Sequence, residues 1–334
     1  MIEVKNLTKK YGSHLAVDDI SFSVNDGEIL GFLGPNGAGK STTMNILTGC
    51  LSATAGSTTI DGFDVLADPF EAKRKLGYLP EQPPLYLDMT VREYLGFVYD
   101  LKKVKMPKGP HIAEICRLVK IQEVYHRLIK NLSKGYKQRV GIAQALIGNP
   151  RVLILDEPTV GLDPKQIIEI RNLIRMLGKT HTVILSSHIL PEVQAVCDRV
   201  VVINKGRIIA DDTPDHLSAN LSDDHSLSLI LEADKKKAMD AMKALSGVKS
   251  VSYVRSHGDN ANEFVVDPVV GYDIRKPLFE LMRDKDWAVL QLRSNQMSLE
   301  DIFLRLTDDT TDTAVLERSL KRRKEQNEQE ATQK

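Results

Sequence analysis

Two rhythms of apolar and polar residues divide this chain. Up to about residue 210, short β-branched runs alternate with segments whose apolar positions recur at helical spacing, which predicts an α/β core built on a largely parallel sheet. The runs at 29–33, 152–155, 182–186 and 200–203 are apolar on both faces and predict buried strands. Between 85 and about 147 there is no convincing strand, and that stretch predicts a helical insertion.

From Ser226 the rhythm changes. The strand-like SLSLILE precedes a helical pattern on Ala238, Ala241, Met242 and Leu245, spaced i, i+3, i+4, i+7 and closed by Gly247. Strand patterns at 248–255 and 263–266, a helix on Ile274, Leu278, Leu281 and Met282, and a strand at 288–292 complete the order βαββαβ. That order predicts a small α+β unit of ferredoxin-like type. Ser298 with Asp301 three residues on signals one more helix, burying Leu299, Ile302, Phe303 and Leu306. The expected organisation is an α/β domain over 1–220, a linker at 221–225, an α+β domain over 226–310, and a charged tail over 311–334 that is a solvated helix or disordered.

Composition narrows the class. With 334 residues, 42% hydrophobic and 27% charged, the chain reads as a globular protein of about two domains. Its 45 basic and 45 acidic residues cancel, so nothing points to nucleic acid as a partner. No apolar run approaches the roughly 20 residues of a membrane span, and MIEVKNLTKK carries no apolar leader, so an intracellular protein is expected. Cys50, Cys116 and Cys197 have no metal-type spacing and read as reduced thiols used as small apolar residues.

The chemistry concentrates at GPNGAGKS, which follows the apolar run at 29–33 and opens a helical pattern. A strand-to-helix turn of this kind is the setting of a phosphate-binding loop. Gly34, Gly37 and Gly39 let the backbone curl with its N–H groups inward, and Pro35, Asn36, Ala38 and Thr42 complete the cradle. Lys40 is expected to neutralise the β- and γ-phosphates of a nucleotide, and the Ser41 hydroxyl to ligate Mg²⁺. The run VLILDE then brings Asp156 and Glu157 to the end of a buried strand. Asp156 is suited to the Mg²⁺ shell and Glu157 to orienting or deprotonating an attacking water.

Between these lies NLSKGYKQRVGIAQALIGNP, where Ser133 can cap a helix reaching Leu146 or Ile147. Here the chain resembles the ATP-binding subunit of ABC transporters, with LSKGY standing where that family has LSGGQ. Lys134 and Tyr136 depart from the pattern. Ser133 and Gly135, the positions that in the family approach the γ-phosphate, are kept, and Lys134 either adds charge near the phosphates or points to solvent. The resemblance covers roughly residues 1–215 and implies a P-loop ATPase core with a helical subdomain, binding ATP and Mg²⁺ and hydrolysing ATP. It further implies that Tyr11 of KKYG stacks on adenine, where alone it would read as an ordinary surface or core residue. Gln82 of YLPEQPPLY is implied to contact Mg²⁺ and the lytic water, Asp163 of VGLD to lie in the loop crossing to the other subunit, and His188 to contact the γ-phosphate.

In the family the signature of one subunit faces the phosphate loop of another, so the resemblance implies a second ATPase subunit. Every catalytic position is present, which favours a homodimer and leaves a heterodimer open. It also implies separate transmembrane permease subunits that would hold the chain at the cytoplasmic face of the membrane. Leu85, Tyr86, Leu87, Met89, Tyr94 and Phe97 are either the permease docking surface or subdomain core. The wording GYLPEQPPLYLDMTVREYL, DEPTVGLDP and SLEDIFLRLT is most similar to ABC-2-type exporters. The α+β unit either regulates or pairs the subunits or simply packs. Two other classes remain open at this stage, a soluble ATPase of the same superfamily and a nucleotide-gated coupling module without turnover.

Overall fold

The first two strands, β1 (Ile2–Tyr11) and β2 (His14–Val24), form an antiparallel hairpin. The computed structural model describes residues 1–221, 226–258, 260–269 and 272–295. Next come β3 (Ile29–Leu33), α1 (Lys40–Leu47), β4 (Ala55–Ile60), β5 (Phe63–Asp64), α2 (Pro69–Arg74) and β6 (Leu76–Leu79). The helical insertion is α3 (Val91–Leu101), α4 (Lys108–Leu118) and α5 (Lys134–Leu146), with single 3₁₀ turns at Gln122–Val124 and Ile129–Asn131. The chain returns through β7 (Val152–Asp156), α6 (Pro164–Leu177), β8 (Thr182–Ser187), α7 (Leu190–Val196), β9 (Arg199–Asn204), β10 (Arg207–Asp212) and α8 (Pro214–Leu221).

Two sheets face one another. The larger has the order β10-β9-β3-β8-β7-β6 and is parallel except where β10 pairs with β9; the smaller, β2-β1-β4-β5, is antiparallel. Every residue of β3, β7 and β8 is buried, as expected for strands covered on both faces. Ile2, Phe22, Leu30, Phe32, Met44, Leu47 and Ile154 belong to one core, with the Phe22 and Phe32 rings 5.4 Å apart. The expected largely parallel arrangement therefore describes the larger sheet alone. The antiparallel sheet is hidden in sequence because β1 and β2 interleave Lys, Asn, Thr and Asp with their apolar residues, and register shifts along the hairpin break the alternation.

In the insertion, Thr90 caps α3 through a reciprocal pair with Glu93, the Glu93 N–H donating to Thr90 Oγ1 at 3.2 Å and the Thr90 N–H to Glu93 Oε2 at 2.8 Å. Of the apolar residues singled out there, Tyr94 is buried and Leu85 and Met89 are half-buried, while Tyr86, Leu87 and Phe97 are exposed. The Tyr86 ring meets Tyr94 and Phe97 edge-on at 6.1 and 5.5 Å. Among the cysteines, Cys116 and Cys197 are buried and Cys50 is exposed; all are free thiols, and burial pushes Cys116 up to about 11.

A second compact unit begins at Asp215. It contains β11 (Ser226–Glu232), α9 (Lys235–Lys243), β12 (Val248–Ser256), β13 (Ala261–Pro268), α10 (Arg275–Asp284) and β14 (Ala288–Asn295). The sheet order is β12-β13-β11-β14, antiparallel throughout, which is the ferredoxin-like topology. Leu227, Leu229, Leu231, Phe264 and Val266 form one side of its core, and Ala238, Met242, Leu278 and Met282 of the helices the other. The expected linker residues 222–225, the helix from Ser298 and the charged tail lie outside the described residues. No helix among the described residues is long and apolar enough to cross a membrane.

Candidate active site

The loop between β3 and α1 is shaped by what its glycines exclude. A Cβ on Gly39, whose φ is 108°, would stand 2.6 Å from the Ala16 carbonyl oxygen, and one on Gly34 would collide with the Ile203 carbonyl. Gly37 has open space around it, so its φ of 80° is the sole constraint there. The turn is tied from within and without, the Ala38 N–H donating to Pro35 O at 3.2 Å and the Gly206 N–H to Ala38 O at 2.9 Å. Gly39 is the N-cap of α1 and no side chain caps it, so the first N–H groups of the helix have no side-chain partner there.

Lys40 is buried and folds back over the loop, donating to Gly34 O at 2.8 Å and Pro35 O at 3.2 Å. Its Nζ lies 3.7 Å from Glu157 Oε1. Burial holds the Lys40 ammonium below its ordinary pKa, opposed by the charges of Glu157, Asp156 and Glu81. An anion entering the loop would favour the charged form further.

β7 delivers Asp156 and Glu157 together, and β8 holds them. The buried Ser186 hydroxyl donates to Asp156 Oδ1, and the Glu157 N–H donates to Ser186 Oγ at 3.1 Å and to Ser186 O at 3.2 Å. These bonds fix a turn in which Glu157 has a φ of 48°, an unusual conformation for a glutamate. His188, half-exposed just past β8, places Nδ1 2.9 Å from both Glu157 carboxylate oxygens. Ser186 escapes a sequence search for site residues, since the end of TVILSS looks like any strand terminus. Its position two residues before His188, facing the strand that ends in Asp156, is the only available signal.

These groups line a cavity of about 580 Å³. Its walls are Tyr11, His14, Ala16, Asn36, Gly37, Gly39, Lys40, Ser41, Thr42, Glu81, Glu157, Val160 and His188. Of the expected residues, Tyr11, Asn36, Gly37, Gly39, Lys40, Ser41, Thr42, Glu157 and His188 are thus brought together. Gly34, Pro35 and Ala38 shape the loop behind them, and Asp156 sits buried next to Glu157. Gln82 is exposed in the loop after β6, and the neighbouring Glu81, not Gln82, lines the cavity. Tyr11, at the end of β1, is exposed with the Lys9 ammonium 5.2 Å from its ring.

Ser133, Gly135 and Asp163 are not in this cavity. Ser133 caps α5, accepting from the Tyr136 N–H at 3.4 Å, and Asp163 caps α6, accepting from the Gln166 N–H at 2.9 Å. A Cβ on Gly135 would meet the Gln166 amide at 2.7 Å, so the two helix starts are in contact. Lys134 is exposed and its side chain lies against Gly161 of the same chain.

A divalent cation fits the donor chemistry. The Ser41 hydroxyl and the Asp156 carboxylate are oxygen donors of the kind Mg²⁺ takes in ones and twos beside substrate phosphates. Among the described residues no cluster of three His, Cys, Asp or Glu could hold a metal by itself.

Residues 17–160 match the family described as ABC transporter. The bacitracin transport ATP-binding protein BcrA of Bacillus licheniformis is 34% identical over 92% of this chain and 97% of its own length. The Nod factor export ATP-binding protein I of Burkholderia orbicola is 32% identical over 92% of this chain and 96% of its own. Among solved structures, the dimeric bacterial ABC transporter cassette MJ0796 superposes with a TM-score of 0.59 at 27% identity, covering 64% of this chain and 98% of that one. The same cassette has been solved as a dimer in a post-hydrolysis state bound to ADP and Pi, with the same TM-score and coverage.

Proposed function

The chain belongs to the ATP-binding subunits of ABC transporters, and we propose that it powers a membrane exporter by closing head to tail with a second copy around two ATP molecules. The observation that carries this reading is that Lys40, Glu157 and His188 converge on one cavity while Ser133 and Gly135 stand outside it. A single chain therefore offers half of two sites. The loop half binds the triphosphate, and the α5 start, with its first-turn N–H groups and the Ser133 hydroxyl, is the half that reaches a partner's γ-phosphate.

In this mechanism Gly37, Gly39 and the α1 start hold the phosphates through backbone N–H groups, and Lys40 exchanges its carbonyl partners for phosphate oxygens. Tyr11 stacks on the base at the mouth of the cavity. Ser41 and Asp156 would hold Mg²⁺, which supplies charge neutralisation at the β- and γ-phosphates when bound. Glu157 takes the proton of the attacking water, and His188 shifts from Glu157 to the γ-phosphate. Asp163 belongs to the loop that meets the second subunit.

We further propose an ABC-2-type permease as the partner, holding the subunit at the cytoplasmic face of the membrane through the exposed Tyr86, Leu87 and Phe97. One of the relatives is a Nod factor export protein, which supports export over uptake. The test is light scattering on the Glu157→Gln protein with and without Mg-ATP. A shift from monomer to dimer supports the closed pair; bound nucleotide without any shift refutes self-sufficient pairing.

A further inference from the structure

The helical insertion leaves the larger sheet after β6 and returns to it at β7, so residues 147–151 are one of its two connections to the core. That connection is bent: Gly148 and Asn149 stand in succession at φ 93° and 50°, in the left-handed region that glycine adopts freely and asparagine tolerates. The peptide group between Ile147 and Gly148 is gripped at both ends. Lys102 of α3 donates to Ile147 O at 2.9 Å, and the Gly148 N–H donates to His111 Nε2 of α4 at 3.0 Å. The second grip is conditional. His111 is buried, and its Nε2 accepts only while the ring is neutral with its proton on Nδ1.

We propose that His111 is an acid-sensitive latch on this connection, closed by the neutral imidazole and released when Nε2 takes up a proton. Protonation turns the acceptor into a donor facing the Gly148 N–H, so two N–H groups oppose each other and the amide loses its partner. The surroundings give the new charge little relief. From α3 His111 faces the Tyr99 ring, 6.2 Å away, and the Lys102 ammonium, and on α4 itself lies the Glu114 carboxylate. Lys108 of α4 is taken by Asp100 of α3 at 2.6 Å, and from Val140 to Pro150 α5 and its exit carry no charged residue. Burial accordingly holds the imidazole below its ordinary pKa, the Glu114 charge opposing that displacement and the Lys102 charge reinforcing it. The histidine of an unfolded chain titrates near 6.5 and binds the proton more readily than the folded one. The contribution of the latch is therefore complete above about pH 6.5 and is lost as pH falls from there through the folded value.

The latch is independent of what the ATP cavity holds, so it is tested without nucleotide and its failure leaves the ATP-site reading untouched. The experiment follows amide hydrogen exchange by mass spectrometry in the full chain at pH 7.5 and pH 5.0, corrected for intrinsic exchange rates. The wild type is compared with His111→Gln, whose side-chain oxygen can accept from the Gly148 N–H and does not titrate. Between the two pH values, wild-type protection over residues 146–149 is expected to fall about tenfold further than that of the variant, the size of one hydrogen bond broken with its donor left unsatisfied. Equal changes in the two proteins overturn the inference. Should the variant not fold, the wild type alone decides. Its protection over 146–149 must fall relative to that over 152–155 in β7 as the pH is lowered, and an unchanged ratio overturns the inference.

Discussion

His188 sets Nδ1 at equal distance, 2.9 Å, from the two carboxylate oxygens of Glu157, and Lys40 approaches one of the same oxygens at 3.7 Å. The residue proposed to act on water is therefore held by the two groups proposed to act on phosphate. Glu157 is also pinned through its own N–H to Ser186, in a left-handed turn. On the proposed roles, nucleotide draws Lys40 and His188 toward phosphate and so frees the carboxylate to accept a proton. On that reading binding and activation are coupled, Lys40 and His188 exchanging the carboxylate for phosphate oxygens.

Replacing Glu157 by Gln keeps the volume and removes the proton acceptor. Turnover is expected to fall by about a hundredfold or more, the usual size of a general-base contribution, while ATP affinity is retained. Phosphate release and nucleotide binding measured side by side check this. Turnover within a few fold of wild type would remove Glu157 from its assigned role.

Lys40→Ala is expected to weaken ATP binding by at least about tenfold, since the cation contacting the triphosphate and the donor bridging Gly34 and Pro35 disappear together. Fluorescent-nucleotide titration is the direct measurement. Unchanged affinity would mean that the loop does not cradle phosphate.

How much of this was legible beforehand depended on whether a signal is local. The phosphate loop, the VLILDE strand end and the α5 cap are written in consecutive residues, and the fold assembles Lys40, Glu157 and His188 as those words suggest. The βαββαβ order of the second unit was legible for the same reason, each strand and helix having its own periodicity. The antiparallel sheet was not, because β1 and β2 carry interrupted alternation whose apolar face appears only once they pair. Nor was Ser186, whose role is set by β8 lying beside β7, a pairing 30 residues away in sequence.

A buried hydrogen bond joins the segment after Glu157 to the segment after His188. Thr159 donates its hydroxyl to Glu192 on α7, which also accepts from Ser187 Oγ at 3.3 Å and lies 4.0 Å from the Arg171 guanidinium. Glu192 is a positioning residue in this arrangement. Thr159→Val preserves shape and removes the donor, leaving a buried carboxylate short of a partner at a cost of about 1–3 kcal/mol. The expected kinetic signature is a lower kcat with KM for ATP little changed, and recovery in Thr159→Ser, which restores the hydroxyl. A fall in ATP affinity alone would show that the bond does not align the hydrolytic groups.

The C-terminus of α5, the helix capped by Ser133, is closed by a half-buried cation. Lys102 donates to Ile147 O at 2.9 Å and to Gln144 O and Ala145 O at 3.4 Å. Such a charge at a helix C-terminus is favourable, yet burial brings the Lys102 amine down to about 8. In the unfolded chain a lysine titrates near 10.4. Between these values the unfolded chain holds the proton that the folded chain has released, so unfolding takes up a proton and stability rises with pH. The gain is at most about 3 kcal/mol, accumulated as pH climbs from about 8 to about 10.4, and it is absent below 8 where both states are protonated. The neutral amine can still donate to the carbonyls, so the cap survives the loss of charge. Lys102→Met removes both the cap and the titration. Urea unfolding midpoints of the two proteins at pH 7.5 and pH 10 should diverge, wild type gaining on the variant at the higher pH. Other titrating groups are common to both chains and cancel in the difference, so parallel pH profiles would show that Lys102 does not titrate in that window.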